Sequence, residues 1–165
     1  MTASCHHVLP RCISHLPTAV AARSITEKDI YGQDVSFESL RGKLVFLINV
    51  ASEDGHSKDN YQVLQQLSTL RSDQFEIVIF PCNQFGEKEP RADRDVAFFA
   101  RKHGFRGVVL AKGDVNGVNT RPAFRFLKAH SEKTHINGYF PLSLLCPAQH
   151  CLPMRGVVYS TAVCC

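Results

Sequence analysis

The 165-residue chain contains no tryptophan, so no indole N–H is available as a hydrogen-bond donor. Acidic residues are missing from both ends. All fifteen lie between Glu27 and Glu132, where fifteen Lys and Arg balance them. The formal charge of +4 therefore comes from Arg11, Arg23, Lys133 and Arg155. Four cations scattered over two ends make no basic stripe, which argues against a nucleic-acid partner. No apolar run approaches the roughly 20 residues needed to span a bilayer, so no membrane span is expected. Cys5-His6-His7 and His150-Cys151 hold metal-ligand types, but the paired spacings of structural zinc are missing and no metal site is expected. The seven cysteines are odd in number and match no disulfide scaffold, which points to a reducing compartment.

What is present suffices for one domain with a real core. Residues 1–23 contain two Arg, two Pro and several Ser and Thr. That composition fits either a targeting segment of mitochondrial or plastid style or a disordered tail. Ala19-Val20-Ala21 resembles a signal-peptidase site, but His6, His7, Arg11 and His15 interrupt any apolar core before it. The expected location is cytoplasmic, with mitochondrion or plastid as the alternative.

Residues 24–130 alternate strand and helix signals. Ile30 to Val35 reads as a short hairpin turning at Gly32. Leu44 to Val50 and Ile77 to Phe80 are continuous apolar runs, as expected of strands covered on both faces. Between them, a helix from about Ser57 to Arg71 carries Tyr61, Leu64, Leu67 and Leu70 on one stripe. A second helix, from about Ala92 to His103, turns Val96, Phe99 and Ala100 inward. After the short apolar run Val108-Val109-Leu110, a third helix opens at Pro122, a residue suited to a first turn, and runs to about Ala129. This order predicts an α/β fold with parallel strands and right-handed crossovers.

From about Ser131 the character changes. No acid follows Glu132, and four cysteines and three prolines occur without strand or helix periodicity. Residues 131–165 are therefore expected to form an irregular tail. Its composition fits a rapidly diverged segment, or sequence read from another frame or an unspliced intron.

Two segments leave apolar strands and enter polar loops: Val50-Ala51-Ser52-Glu53-Asp54-Gly55-His56-Ser57 and Phe80-Pro81-Cys82-Asn83-Gln84-Phe85-Gly86-Glu87-Lys88-Glu89-Pro90. Together with Asn60-Tyr61, Asp114-Val115-Asn116-Gly117 and Pro122 to Leu127, they resemble the signature segments of the glutathione peroxidase family. The resemblance covers residues 24–130. It implies a thioredoxin-like fold: a central mixed sheet flanked by helices, with an N-terminal hairpin and here a truncated or irregular C-terminal part. It further implies reduction of hydrogen peroxide or organic hydroperoxides in the oxidative-stress response, with glutathione or thioredoxin as reductant and no bound cofactor.

The resemblance places Asp54 where the family carries its nucleophilic cysteine or selenocysteine, and Lys88 where it carries a glutamine. The family's Trp-Asn-Phe motif is absent. A peroxidatic thiol must be a thiolate to attack the peroxide oxygen, and a helix N-terminus lowers its pKa. A carboxylate can carry the charge but cannot form the sulfenic acid. Asp54 is instead expected to cap the first helix, with Ser57 an equal candidate, or to stand as an anion in its first turn; Lys88 reads as a solvated surface lysine, or as the partner of Asp54 in an ion pair. His56 reads as an exposed loop residue. Cys82, the only thiol in residues 24–130, reads as packed and inert; as the alternative nucleophile it would support a weak thiol peroxidase.

Overall fold

Two apolar runs form the centre of the sheet. The structure is a computed structural model that describes residues 24–69, 75–130, 134–138, 142–146 and 161–164. Within it, β3 (Leu44–Val50) pairs in parallel with β4 (Phe75–Pro81), from Leu44 opposite Phe75 to Val50 opposite Pro81. Leu47, Val50, Val78, Ile79 and Phe80 are completely buried, because side chains on both faces of this ladder meet packed layers. Burial of each such side chain contributes about 1.5–3 kcal/mol.

The β3–β4 crossover is helix α1 (Ser57–Thr69), whose Tyr61 and Leu64 are buried while Leu67 packs partly against the same cluster. Leu70 of the expected stripe and Arg71, the expected end of the helix, lie outside the described residues. Helix α2 (Asp93–Lys102) buries Val96, Ala97 and Ala100, and leads to the edge strand β5 (Val108–Val109), parallel to β4. Helix α3 (Pro122–Ala129) begins with Pro122 in its first turn and buries Phe124, Phe126 and Leu127. Phe80 and Phe124 meet edge to face across the sheet–helix interface, at 5.1 Å.

The hairpin is present, with its strands flanking the expected turn: β1 (Thr26–Lys28) runs antiparallel to β2 (Asp34–Ser36). Gly32 sits at φ +79°, a conformation that costs a side-chain-bearing residue energy. The Asp29 carboxylate accepts the N–H groups of Tyr31 and Gln33, each at 2.8 Å, which fixes the turn. A 3-10 turn (Phe37–Leu40) follows.

Glu27 joins this hairpin to the body. One carboxylate oxygen accepts from Nε and Nη2 of Arg121, at 3.1 and 2.9 Å, and the other accepts the Ala123 N–H at the start of α3, at 2.8 Å. Both charged residues are buried, so the pairing offsets a large desolvation cost.

Beyond residue 131 the expectation of no strand is corrected. β6 (Leu142–Cys146) pairs antiparallel with β3, and β7 (Thr161–Cys164) pairs in parallel with β6. The mixed sheet has the order β5-β4-β3-β6-β7. Five residues between Pro141 and Pro147 are too short to show a period, yet they satisfy the open edge of β3. Ahead of them, Asn49 donates to Gly138 O at 2.7 Å, and Asn116 exchanges two bonds with the Ile136 backbone. No helix among the described residues is long and apolar enough to cross a membrane.

Candidate active site

Parallel pairing brings the carboxyl ends of β3 and β4 to one side of the sheet, where ligand sites of open α/β sheets gather. Cys82 N–H donates to Val50 O at 3.1 Å, so the two outgoing loops start in contact. Two residues later the link tightens. Ser52 N–H donates to Glu89 Oε2 and the Ser52 hydroxyl to Glu89 Oε1, both at 2.7 Å. Glu53 N–H donates to Lys88 O at 2.9 Å.

The loops therefore converge as expected, but not through the side chains that were expected to meet. No ion pair joins Asp54 to Lys88 among the described residues, and this expectation is corrected. The Lys88 carbonyl makes the contact with the first loop, and its side chain is exposed. The nearby ion pair is Arg91–Glu53, at 3.2 Å and well exposed, a kind that contributes little.

Asp54 is half-buried ahead of α1, and its carboxylate accepts the His56 N–H at 3.1 Å. The helix begins one residue later, with Asn60 N–H bonded to His56 O. Asp54 thus closes a turn before the helix and is not its cap, another correction. Ser57 is not a capping acceptor either. Its buried hydroxyl lies 2.8 Å from Ala51 O and 2.6 Å from Asp54 O, and donates toward those carbonyls. His56 is exposed.

Glu89 is fully buried. Its N–H donates to Asn83 Oδ1 at 2.8 Å, and its carbonyl accepts from Lys112 Nζ at 3.2 Å. Burial raises its pKa, partly countered by the Ser52 hydrogen bonds and then by the Lys112 and Arg91 charges. Tyr61 has its phenol pKa raised far above the ordinary value, mainly by burial and further by the Glu89 charge.

Cys82 is buried in the core cluster that also holds Phe80 and Val115. Its sulfur accepts the Gln84 N–H at 3.5 Å. Burial pushes the thiol pKa up, with the hydrogen bond from Gln84 opposing, so the thiolate is disfavoured.

Gln84 carries the second loop to a third. Its Oε1 accepts the N–H groups of Val115 and Asn116 at 2.9 and 2.8 Å, while its Nε2 donates to Asn116 O at 2.9 Å. Lys128 Nζ reaches Asn116 Oδ1 at 2.8 Å, and burial lowers its pKa. Gly86 and Glu87, at φ +67° and +54°, form a left-handed pair just before Lys88.

Gln84, Glu89 and Lys112 escape a reading based on polarity, because polar loop residues look solvated. The only signal for Gln84 and Glu89 is their place inside the signature loop.

Sheet order, crossover helices and a site at the strand ends define the class of thioredoxin-like α/β proteins. The structure resembles a thioredoxin-family thiol:disulfide interchange protein from Chlorobium tepidum TLS, with TM-score 0.57 and 17% identity, over 76% of this chain and 77% of that one. It resembles the crystal structure of T. cruzi GPX1 equally, with TM-score 0.57 and 24% identity, over 74% and 76% of the two chains. At such identities these likenesses speak for the fold. The glutathione peroxidase family model matches residues 23–128. Glutathione peroxidase 2 of Caenorhabditis elegans is 40% identical over 110 residues, covering 66% of this chain and 68% of that protein. The chain belongs to the glutathione peroxidase family.

Proposed function

We propose that this chain is a glutathione peroxidase homolog with impaired or lost turnover, acting as a binding or regulatory protein. The family activity behind it is thiol-dependent reduction of hydrogen peroxide and organic hydroperoxides. The observation that carries the reading is Asp54, whose carboxylate occupies the position before α1 and is engaged by the His56 N–H. A thiolate there attacks the peroxide O–O bond and takes the oxygen as sulfenic acid; a carboxylate has no such oxidation available. Lys88, at the position matching the family's glutamine, turns its side chain to solvent and offers no acceptor.

The second reading is a weak thiol peroxidase using Cys82, with glutathione or a thioredoxin-like protein as reductant. Its raised pKa and full burial weigh against this role. The division into a tail over 1–23, a peroxidase-like domain over 24–130 and a divergent part over 131–165 belongs to the same proposal. So does a cytoplasmic location, with mitochondrion or plastid as the alternative.

Sulfenic-acid trapping separates the two readings. The full chain is exposed to hydrogen peroxide with a sulfenic-acid trap, and the adducts are mapped by mass spectrometry. The proposal expects Cys82 to label no faster than an ordinary buried thiol. Rapid, selective labelling of Cys82 would establish the second reading.

A further inference from the structure

A concave surface lies beside the edge strand, level with the middle of β4, where Val108 pairs with Val78. It is separate from the strand ends that hold Asp54 and Lys88. Three elements build it: the hairpin tip at Asp29–Tyr31, one face of α2, and β5 with the residues before it. Along α2 the face reads Arg94, Ala97, Phe98 and Arg101, the i, i+3, i+4, i+7 spacing of one helical stripe. Gly107 keeps the floor close to the sheet, because a Cβ there would stand 2.4 Å from Ile77 O.

Two observations give this groove a ligand chemistry. Tyr31 and Phe98 are 67% and 70% exposed, and both of these large apolar side chains line this one groove. Between and beside them stand Arg94, Arg101 and Arg106, against a single carboxylate, Asp29. The Asp29 carboxylate is already engaged by two backbone N–H groups of its own turn. Neither Arg94 nor Arg101 is paired with a carboxylate among the described residues. Arg94 leans over the Tyr31 ring at 6.0 Å, and Arg101 Nη1 is held by Phe105 O and Gly107 O.

We propose that this groove docks an acidic segment of a partner protein, with an apolar side chain seated between Tyr31 and Phe98 and carboxylates on Arg94 and Arg101. Exposed aromatics interleaved with arginine are the composition of interface hot spots. Guanidinium forks bind carboxylates in two-point geometry, which lysines cannot reproduce. A small anion would leave both rings in water. The inference goes beyond the reading of the strand-end site and stands whether or not that site turns over.

Fluorescence anisotropy with the full chain tests it. The probe is a fluorescein-labelled peptide of Glu and Asp flanking a Phe-Leu pair; the control carries Lys in place of each acid. Expected is saturable binding of the acidic peptide alone, weakened about tenfold or more by Arg94→Glu or Phe98→Ser. Binding should also weaken when salt rises to about 0.5 M. Val63→Ser, an exposed apolar position on α1, should leave binding unchanged. Arg94 and Phe98 are exposed, so both variants should keep the wild-type melting temperature.

Four results would overturn the proposal. They are no saturable binding; equal binding by wild type and Arg94→Glu; displacement by inorganic phosphate, AMP or phosphatidylserine vesicles as effective as by unlabelled peptide; and self-association in sedimentation equilibrium that Phe98→Ser abolishes, which would assign the face to a second copy.

Discussion

Ser52 holds both oxygens of Glu89: its backbone N–H donates to one and its hydroxyl to the other, each at 2.7 Å. This pair, rather than an Asp54–Lys88 contact, locks the loop after β3 to the loop after β4. Removing the hydroxyl leaves a buried carboxylate oxygen without that donor. Ser52→Ala should therefore cost about 1–3 kcal/mol in urea unfolding. A loss no larger than that of an exposed serine would mean that the lock contributes nothing.

The same carboxylate predicts a pH dependence. Burial raises the Glu89 pKa above its unfolded value of roughly 4.3. Between the unfolded and folded pKa values the native state binds more protons, so stability falls as pH rises through that window. Glu89's contribution is fully present below the unfolded pKa and lost as pH climbs past the folded one. Urea midpoints measured from pH 4 upward should fall in wild type relative to Glu89→Gln. Parallel curves would exclude Glu89 as the source.

Asp54 and Lys88 should behave as independent residues. Their side chains form no ion pair, so a double-mutant cycle of Asp54→Ala and Lys88→Ala should give a coupling below about 0.3 kcal/mol. A larger coupling would show that the two charges meet in solution.

A buried ion pair joins Glu27 to Arg121. Glu27 serves both Arg121 and the first turn of α3, so Glu27→Ala strands a buried guanidinium and an N–H group. The expected loss is about 3–5 kcal/mol in chemical unfolding. Replacing both partners, Glu27→Leu with Arg121→Met, should cost clearly less than the single change. An equal or larger loss would contradict the desolvation argument.

The parts of the fold legible in the sequence are those where burial imposes a period. Leu44 to Val50 is apolar throughout because both faces are covered, and Tyr61-Leu64-Leu67 repeats every three residues because one face is. Pro122 marked the start of α3 because it needs no hydrogen-bond partner there. β6 and β7 escaped because four or five residues carry no readable period and are placed by what they pair with.

The signature loops mark two segments that converge at the strand ends, but polarity says nothing of Glu89, which is buried between a lysine and a proline in the sequence. The Asp54–Lys88 pair was misjudged because the loops meet through backbone: Lys88 contributes its carbonyl, which no side-chain pattern encodes.

The most direct test of the central claim is steady-state peroxide consumption by the purified chain. Hydrogen peroxide and an organic hydroperoxide are supplied in turn, with glutathione or a thioredoxin system as reductant. On the proposed reading, Asp54 stands at the position of the family's nucleophile and Cys82 is a buried thiol whose thiolate is disfavoured, so turnover should not exceed the no-enzyme blank. Turnover above the blank that vanishes on Cys82→Ser would contradict it and make this chain a working thiol peroxidase.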